Sequence, residues 1–224
     1  AKFLIQSCDL IMMREEDSKR LAEKIGVTKP IEITGDAAYL NPVSDGQRAA
    51  EICQKLNIDQ SRPLLGINIT SYMDGWMSDS GASSDPDKLI SVLATGILRA
   101  QSITREPFTP VVFSTHPMDV AVAQKLAALL NTVVVSNTEY LSHDMQAVMR
   151  RCELFIGMRF HSLVLSSAVY VPVMALVYAP KVKTLMETFQ STEYALTIAG
   201  LTSEHLAERI GAAWSERKAL QLRQ

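Results

Sequence analysis

Cationic and imidazole side chains recur in this sequence where an apolar run stops. Gly157-Met158-Arg159-Phe160-His161-Ser162 follows the apolar residues 154–156 and precedes a second apolar stretch. Arg159 and His161 therefore fall between a buried strand and a buried helix. A helix N-terminus presents free N–H groups and the positive end of the dipole, so it attracts anions and disfavours cations. An arginine and a histidine placed there need a bound anion or a nearby carboxylate. Arginine offers planar, paired donors suited to phosphate or carboxylate. Histidine exchanges a proton near neutrality. Together they suit the binding and proton transfer that an anionic substrate requires. The competing reading pairs Arg159 with an acidic residue and packs His161 in the core.

Other strand ends carry similar groups. Arg14 follows residues 10–13, Ser71 follows 64–69, His116 follows 111–114, and Tyr178 and Lys181 follow 171–177. Each has a plainer reading. Arg14 precedes Glu15-Glu16-Asp17 and can form a local ion pair, Lys181 can be solvated, and His116 can cap a turn with Asp119 close by. His143 and His205 read as surface residues. Residues 71–85 are polar, with Gly75, Gly81 and several serines, and read as a mobile loop between elements.

The elements that must position these groups alternate strand and helix. Expected strands are 10–13, 31–34, 64–69, 111–114, 132–135, 154–156 and 171–177, with a short one near 195–198. Expected helices are 15–25, 49–56, 87–102, 119–130, 142–150 with Ser142 as N-cap, 161–169, 181–189 and 203–222. Gly26 is placed to end the first of these. Alternation of this kind predicts an α/β fold with a parallel, Rossmann-like sheet flanked by helices. Ligands of such sheets lie beyond the carboxyl ends of the strands, where the residues above fall. Residues 1–42 read as the terminal βαβ remnant of a preceding α/β domain with its linker, because one βαβ unit cannot bury its own core. Residues 43–224 read as the Rossmann-like domain.

Composition bounds the function classes. Lys plus Arg is 22 against 24 for Asp plus Glu, so no general basic field exists for nucleic acid. The three cysteines, Cys8, Cys53 and Cys152, form no CxxC pair. They read as reduced thiols in or near the core, in a cytoplasmic protein. Acidic residues and histidines lack metal-ligand spacing, so no metal is expected. Neither a P-loop, GxGxxG nor GxSxG motif occurs, which moves ATPases, dinucleotide-binding dehydrogenases and serine hydrolases out of the front rank. Residues 163–178 are interrupted by Pro172 and serines and are too short to span a bilayer of about 20 helical residues. No secretory leader is visible, and the lack of an initiator Met suggests a start inside a longer protein.

The segment CELFIGMRFHSLVLSSAVYVPVMALVYAPKV resembles the hallmark of polysaccharide pyruvyl transferases. The shared features are an acidic strand entry, G-x-R-x-H, a small-residue helix, a V-P strand and a Y-x-x-K ending. MMREEDSKRLAEKIGV resembles that family's R-[DE]-x-x-S segment, and ITGDAAYL the turn after it. The resemblance implies a two-domain architecture like that of GT-B glycosyltransferases, of which this chain would be the C-terminal half plus the end of the N-terminal domain. It implies transfer of pyruvate from phosphoenolpyruvate to a sugar diol as a ketal, with release of phosphate, in exopolysaccharide or cell-wall polymer biosynthesis. Phosphoenolpyruvate is then a co-substrate and no cofactor is needed. Arg14, Arg159 and Lys181 would bind its anions, Arg159 and His161 would be catalytic, and His116, Ser71 and Tyr178 are further substrate-binding candidates. The acceptor would be a saccharide or lipid-linked saccharide, the latter bringing the protein to a membrane surface. Two other readings stand beside this one, a GT-B glycosyltransferase using a nucleotide sugar and a non-catalytic half-enzyme that binds a ligand or partner.

Overall fold

The computed structural model describes residues 1–71 and 86–223. The chain divides into two compact units, Ala1–Asn41 and Pro42–Gln224.

In the first unit, helix α1 (Lys2–Ser7) precedes strand β1 (Met12–Met13), helix α2 (Glu16–Lys24) and strand β2 (Glu32–Ile33). The sequence pattern does not reveal α1, which buries none of its residues. β1 and β2 pair in parallel, Met12 opposite Glu32. Glu16 and Asp17 occupy the first turn of α2 and Lys24 the last, as the helix dipole favours. Gly26 follows with φ +89°, the left-handed conformation that ends the helix without a Cβ penalty. A small core of Ile11, Ala22, Val27 and Ile31 forms between helix and strands. The stretch read as a linker begins with a 3₁₀ turn, Ala37–Leu40, capped by the Asp36 carboxylate.

The second unit contains α3 (Gly46–Lys55), β3 (Leu64–Asn68), α4 (Pro86–Ile103), β4 (Thr109–Ser114), α5 (Val120–Leu129), β5 (Val134–Ser136), α6 (Ser142–Met149), β6 (Cys152–Gly157), α7 (Phe160–Ser167), β7 (Val173–Val177), α8 (Pro180–Thr188), β8 (Ala195–Thr197) and α9 (Ser203–Arg223). The six strands form one sheet in the order β5-β4-β3-β6-β7-β8, every neighbouring pair parallel. The expected α/β architecture is therefore present, including the short strand near residue 195. β3 is buried along its whole length, as a central strand covered on both faces must be. α4 and α9 pack closely beside Gly96, where a Cβ would come within 2.8 Å of Leu206. Trp214 of α9 packs against Phe108 with the rings tilted by 54° and their centroids 4.9 Å apart.

Strand order reverses once. The chain runs outward from β3 to β4 to β5, returns across the sheet to β6, and then runs outward the other way through β7 to β8. The crevice between the carboxyl ends of β3 and β6 is the topological switch point, where open α/β sheets place their ligands.

Several local expectations need correction. Ser142 is not an N-cap. The extended backbone of Leu141 precedes the helix, and Ser142 is its first helical residue. Cys53 and Cys152 are buried, but Cys8 is exposed at the end of α1, a helix with no buried face. His143 is half-buried rather than superficial, and its carbonyl accepts a hydrogen bond from Ser44 N at 3.2 Å. The loop expected over 71–85 falls, beyond Ser71, outside the described residues.

Candidate functional site

Three strand ends converge at the switch point. Asn68, the last residue of β3, is fully buried. Its Nδ2 donates to the Phe113 carbonyl of β4 at 2.9 Å, and its Oδ1 accepts from Arg159 N at 3.0 Å. Its own carbonyl accepts from Met158 N at 3.1 Å. One asparagine thus ties the ends of β3 and β4 to the segment leaving β6. Gly157 lets that segment turn into α7. A Cβ there would lie 2.8 Å from Leu163 Cγ and 2.9 Å from Ser162 Oγ, so only glycine admits so close an approach.

Arg159 immediately precedes α7 with extended backbone, φ −70° and ψ 136°. Its guanidinium grips the Asp119 carboxylate at two points, Nε close to Oδ2 and Nη2 3.0 Å from Oδ1. Asp119 ends the 3₁₀ turn Pro117–Asp119 after β4 and is fully buried. Its Oδ1 also accepts from Thr70 Oγ1 at 2.9 Å and from Ser71 N at 3.1 Å. A buried carboxylate is tolerable only when paired and hydrogen-bonded, and here it is both. This carboxylate answers the electrostatic question raised by a cation at a helix start. The Arg159 side chain keeps 21% of its surface exposed. Its Nη1 has no hydrogen-bond partner among the described residues. The outcome is a fixed, directional donor rather than a freely moving charge.

His161 is the second residue of α7 and is exposed, so the packed-histidine reading does not hold. Its ring meets the buried Phe160 ring edge to face, centroids 5.3 Å apart. His116 takes the capping role. Its Nδ1 accepts from Met118 N at 3.2 Å, which places the proton of the neutral ring on Nε2. The turn it caps delivers Asp119, whose N–H donates to the His116 carbonyl at 2.9 Å. Ser71 contributes its backbone N–H to Asp119, and its hydroxyl lies 3.2 Å from the Met118 carbonyl. Thr115 Oγ1, next to His116, is buried without a hydrogen-bond partner among the described residues.

The remaining candidates lie further out. Tyr178 is 8% exposed directly after β7, and Lys181 is half-buried as the second residue of α8. β7 is hydrogen-bonded to β6, so both stand one strand from Arg159. Arg14 belongs to the first unit. There its Nη1 pairs with Asp36 Oδ2 at 3.0 Å and its Nε lies 3.8 Å from Glu15 Oε1. The expected local pairing with Glu15 is thus the weaker of the two.

The structure therefore gathers Thr70, Ser71 and Arg159 around one carboxylate, with His116 capping the turn that carries it and His161 two residues beyond Arg159 at the same helix start. Sequence reasoning missed the roles of Asn68, Thr70 and Asp119. A signal for Asp119 exists, since an isolated acid opens the apolar stretch 120–130 straight after a strand end. Among the described residues no group of three His, Cys, Asp or Glu side chains could hold a metal ion. No helix of the described residues is long and apolar enough to cross a membrane.

Comparison with known proteins adds a family and a fold. The family model described as polysaccharide pyruvyl transferase matches residues 1–180. No curated protein sequence matches the chain. Among solved structures, a glycosyltransferase from Rickettsia africae ESF-5 superposes with a TM-score of 0.56 at 16% identity, covering 99% of this chain and 61% of its own. The E. coli ADP-heptose lipopolysaccharide heptosyltransferase II gives 0.50 at 15% identity, covering 80% and 52%. WaaG, a glycosyltransferase involved in lipopolysaccharide biosynthesis, gives 0.50 at 17% identity, covering 95% and 56%. At such identities the likeness is one of fold, to part of GT-B glycosyltransferases. The chain spans between about half and three-fifths of the length of these structures.

Proposed function

We propose that this chain, which belongs to the polysaccharide pyruvyl transferase family, transfers pyruvate from phosphoenolpyruvate to two hydroxyls of one sugar and releases phosphate. The observation that carries this reading is the Arg159 guanidinium, clamped by buried Asp119 at the switch point, beside an exposed His161.

Phosphoenolpyruvate offers two anions to the protein, a phosphate and a carboxylate. Arg159 can give Nη1 donors to one of them, in a direction that Asp119 fixes. The Arg159–Asp119 pair has no net charge, so the compensating positive charge falls to Lys181, with the start of α7 adding its dipole. Ser71 and Tyr178 are polar groups at neighbouring strand ends that can orient substrate. His116 acts indirectly, through the turn that holds Asp119.

The reaction requires one proton on C3 of the enol and the loss of one proton from each attacking hydroxyl. Addition of the first hydroxyl oxygen to C2, with protonation of C3, gives a tetrahedral carbon bearing a methyl group. Breaking the C2–O bond to phosphate and adding the second hydroxyl closes the ketal. One hydroxyl proton balances C3 and the other leaves with phosphate. His161 is the group that moves these protons, since imidazole is competent in both states near neutrality. Cations around the phosphate stabilise its departure. The acceptor would be a saccharide or lipid-linked saccharide, in exopolysaccharide or cell-wall polymer synthesis in the cytoplasm.

The test is a reaction in D₂O with phosphoenolpyruvate and candidate acceptor saccharides. Phosphate release with a ketal methyl carrying one deuterium is the expected result. Glycosyl transfer from a nucleotide sugar, with phosphoenolpyruvate untouched, would replace this reading.

A further inference from the structure

A second concave site lies at the opposite end of the same sheet. It is a cleft of about 620 Å³ at the amino ends of β6 and β7, closed on one side by α9. Its volume falls in the range of small-ligand sites, roughly 300–1,000 Å³. Four cations, Arg150, Arg151, Arg217 and Lys218, line it with one carboxylate, Glu153. The chain as a whole carries a net charge of −2, so this concentration of positive charge is local. Arg217 is committed to Glu153 and Glu106, and Arg151 to Gln60 and the Gly46 carbonyl. Arg150 and Lys218 are exposed and make no ion pair among the described residues. They are the charges left to meet a ligand.

Tyr170 stands in the same lining with 75% of its surface exposed. It occupies the left-handed region at φ +63°, just past the end of α7, where a helix usually places glycine. A bulky residue there costs of order 1 kcal/mol. Its carbonyl is held by Gln221 Nε2 at 2.7 Å, so the backbone is fixed while the ring is not buried. Packing gives no reason for an aromatic ring at this position. An exposed ring that shares a cleft with two cations making no ion pair among the described residues suits a ligand with a flat, weakly polar face and negative charge.

We propose that this cleft is a second binding site, for an anionic saccharide, distinct from the crevice that holds Arg159. The negative charge follows from the lining alone. The saccharide class rests on the reading of this chain as a transferase that acts on a polysaccharide. That reaction leaves a carboxylate on each modified sugar, so the polymer gains charge as it proceeds. The cleft would hold a stretch of chain already so modified. Lys218 and Gln221 lie beyond residues 1–180, the part matched by the family model. A concave site also suits a saccharide chain better than a flat lipid surface.

The experiment is titration calorimetry of the full chain with hexagalacturonate and with neutral maltohexaose, in low and moderate salt. Hexagalacturonate should bind, maltohexaose at least about tenfold more weakly, and affinity should fall as salt screens the exposed cations. Arg150→Ala combined with Lys218→Ala should weaken binding by about fivefold or more. Tyr170→Gly is the sharper variant. It relieves the left-handed strain, so the thermal midpoint should hold or rise while affinity falls by about fivefold. Equal affinity for both oligosaccharides, or unchanged affinity in these variants, would overturn the proposal. So would tighter binding to vesicles of anionic phospholipid than to hexagalacturonate. None of these readouts needs phosphoenolpyruvate, so a failure here is distinguishable from a failure of the pyruvyl-transfer reading.

Discussion

Asp119 and Arg159 come from opposite sides of the central strand β3 and form a two-point ion pair over its carboxyl end. Asp119 follows β4, and Arg159 follows β6. The pair bridges the place where strand order reverses, with Thr70 and Ser71 closing around the carboxylate from β3 itself. Forty residues of sequence separate the partners. The fold brings them together, and in return the carboxylate fixes the one cation at the start of α7.

Asp119→Asn should separate positioning from folding. The amide keeps an acceptor for Thr70 or Ser71 but loses the charge that orients Arg159. Stability should fall modestly, whereas Asp119→Ala, which strips the partner from a part-buried guanidinium, should cost about 3–5 kcal/mol in urea unfolding. Phosphoenolpyruvate-dependent turnover in Asp119→Asn should drop by about 10²-fold. Full turnover in that variant would remove Asp119 from the site.

His161 is exposed, so its removal tests chemistry with little structural cost. His161→Ala should leave the unfolding free energy within about 0.5 kcal/mol. Turnover should fall by about 10²-fold or more, with phosphoenolpyruvate binding retained. Loss of binding together with turnover would make His161 an anion ligand instead of a proton carrier.

The main architecture was legible because parallel strands and their crossover helices write distinct periods into the sequence. The run 64–69 is apolar but for Asn68, as a strand covered on both faces is apart from a polar residue at its end, and the 171–177 run reads the same way. Arg159 and His161 were legible because cations at a helix start are electrostatically anomalous. What neutralises Arg159 was not, since Asp119 approaches from another strand end and no local spacing encodes that contact. Helix α1 escaped notice because it buries nothing, so no apolar period marks it. His116 shows the limit from the other side. Its residue type suits catalysis, yet its Nδ1 is engaged in holding a turn.

Gly157→Ala tests the close approach of α7 to the sheet. The added methyl meets Leu163 and Ser162 at under 3 Å, and Leu163 is fully buried with little room to move. Overpacking of this kind costs about 1–3 kcal/mol. Because Arg159 follows two residues later, turnover should fall further than stability explains. Circular-dichroism melts and turnover measured side by side check both parts.

Asp144 sets part of the acid stability. Arg48 holds its carboxyl below the usual carboxylate range, with Nη2 3.0 Å from Oδ2, and Ser44 donates to Oδ1 at 2.7 Å. A depressed folded-state pKa favours the folded state above the unfolded value of about 3.9. That contribution disappears as pH falls through the folded value. Asp144→Asn should therefore be less stable than wild type at neutral pH, with the gap narrowing as pH falls below the unfolded value and through the lower folded one. A gap that stays constant across this range would mean the carboxylate acts by shape alone.

In the proposed reaction the switch-point crevice binds phosphoenolpyruvate through Arg159. The most direct measurement is the ligand-induced change in thermal midpoint, with phosphoenolpyruvate and with UDP-, GDP- and CMP-sugars, for wild type and Arg159→Ala. Comparing each protein with and without ligand cancels the lower starting stability of the variant. At 100 times its dissociation constant a ligand adds about 2.7 kcal/mol, a rise of about 5–10 °C in a domain of this size. That rise is expected with phosphoenolpyruvate in wild type, and its loss in Arg159→Ala. A rise with a nucleotide sugar alone, or a phosphoenolpyruvate shift that survives Arg159→Ala, would contradict it.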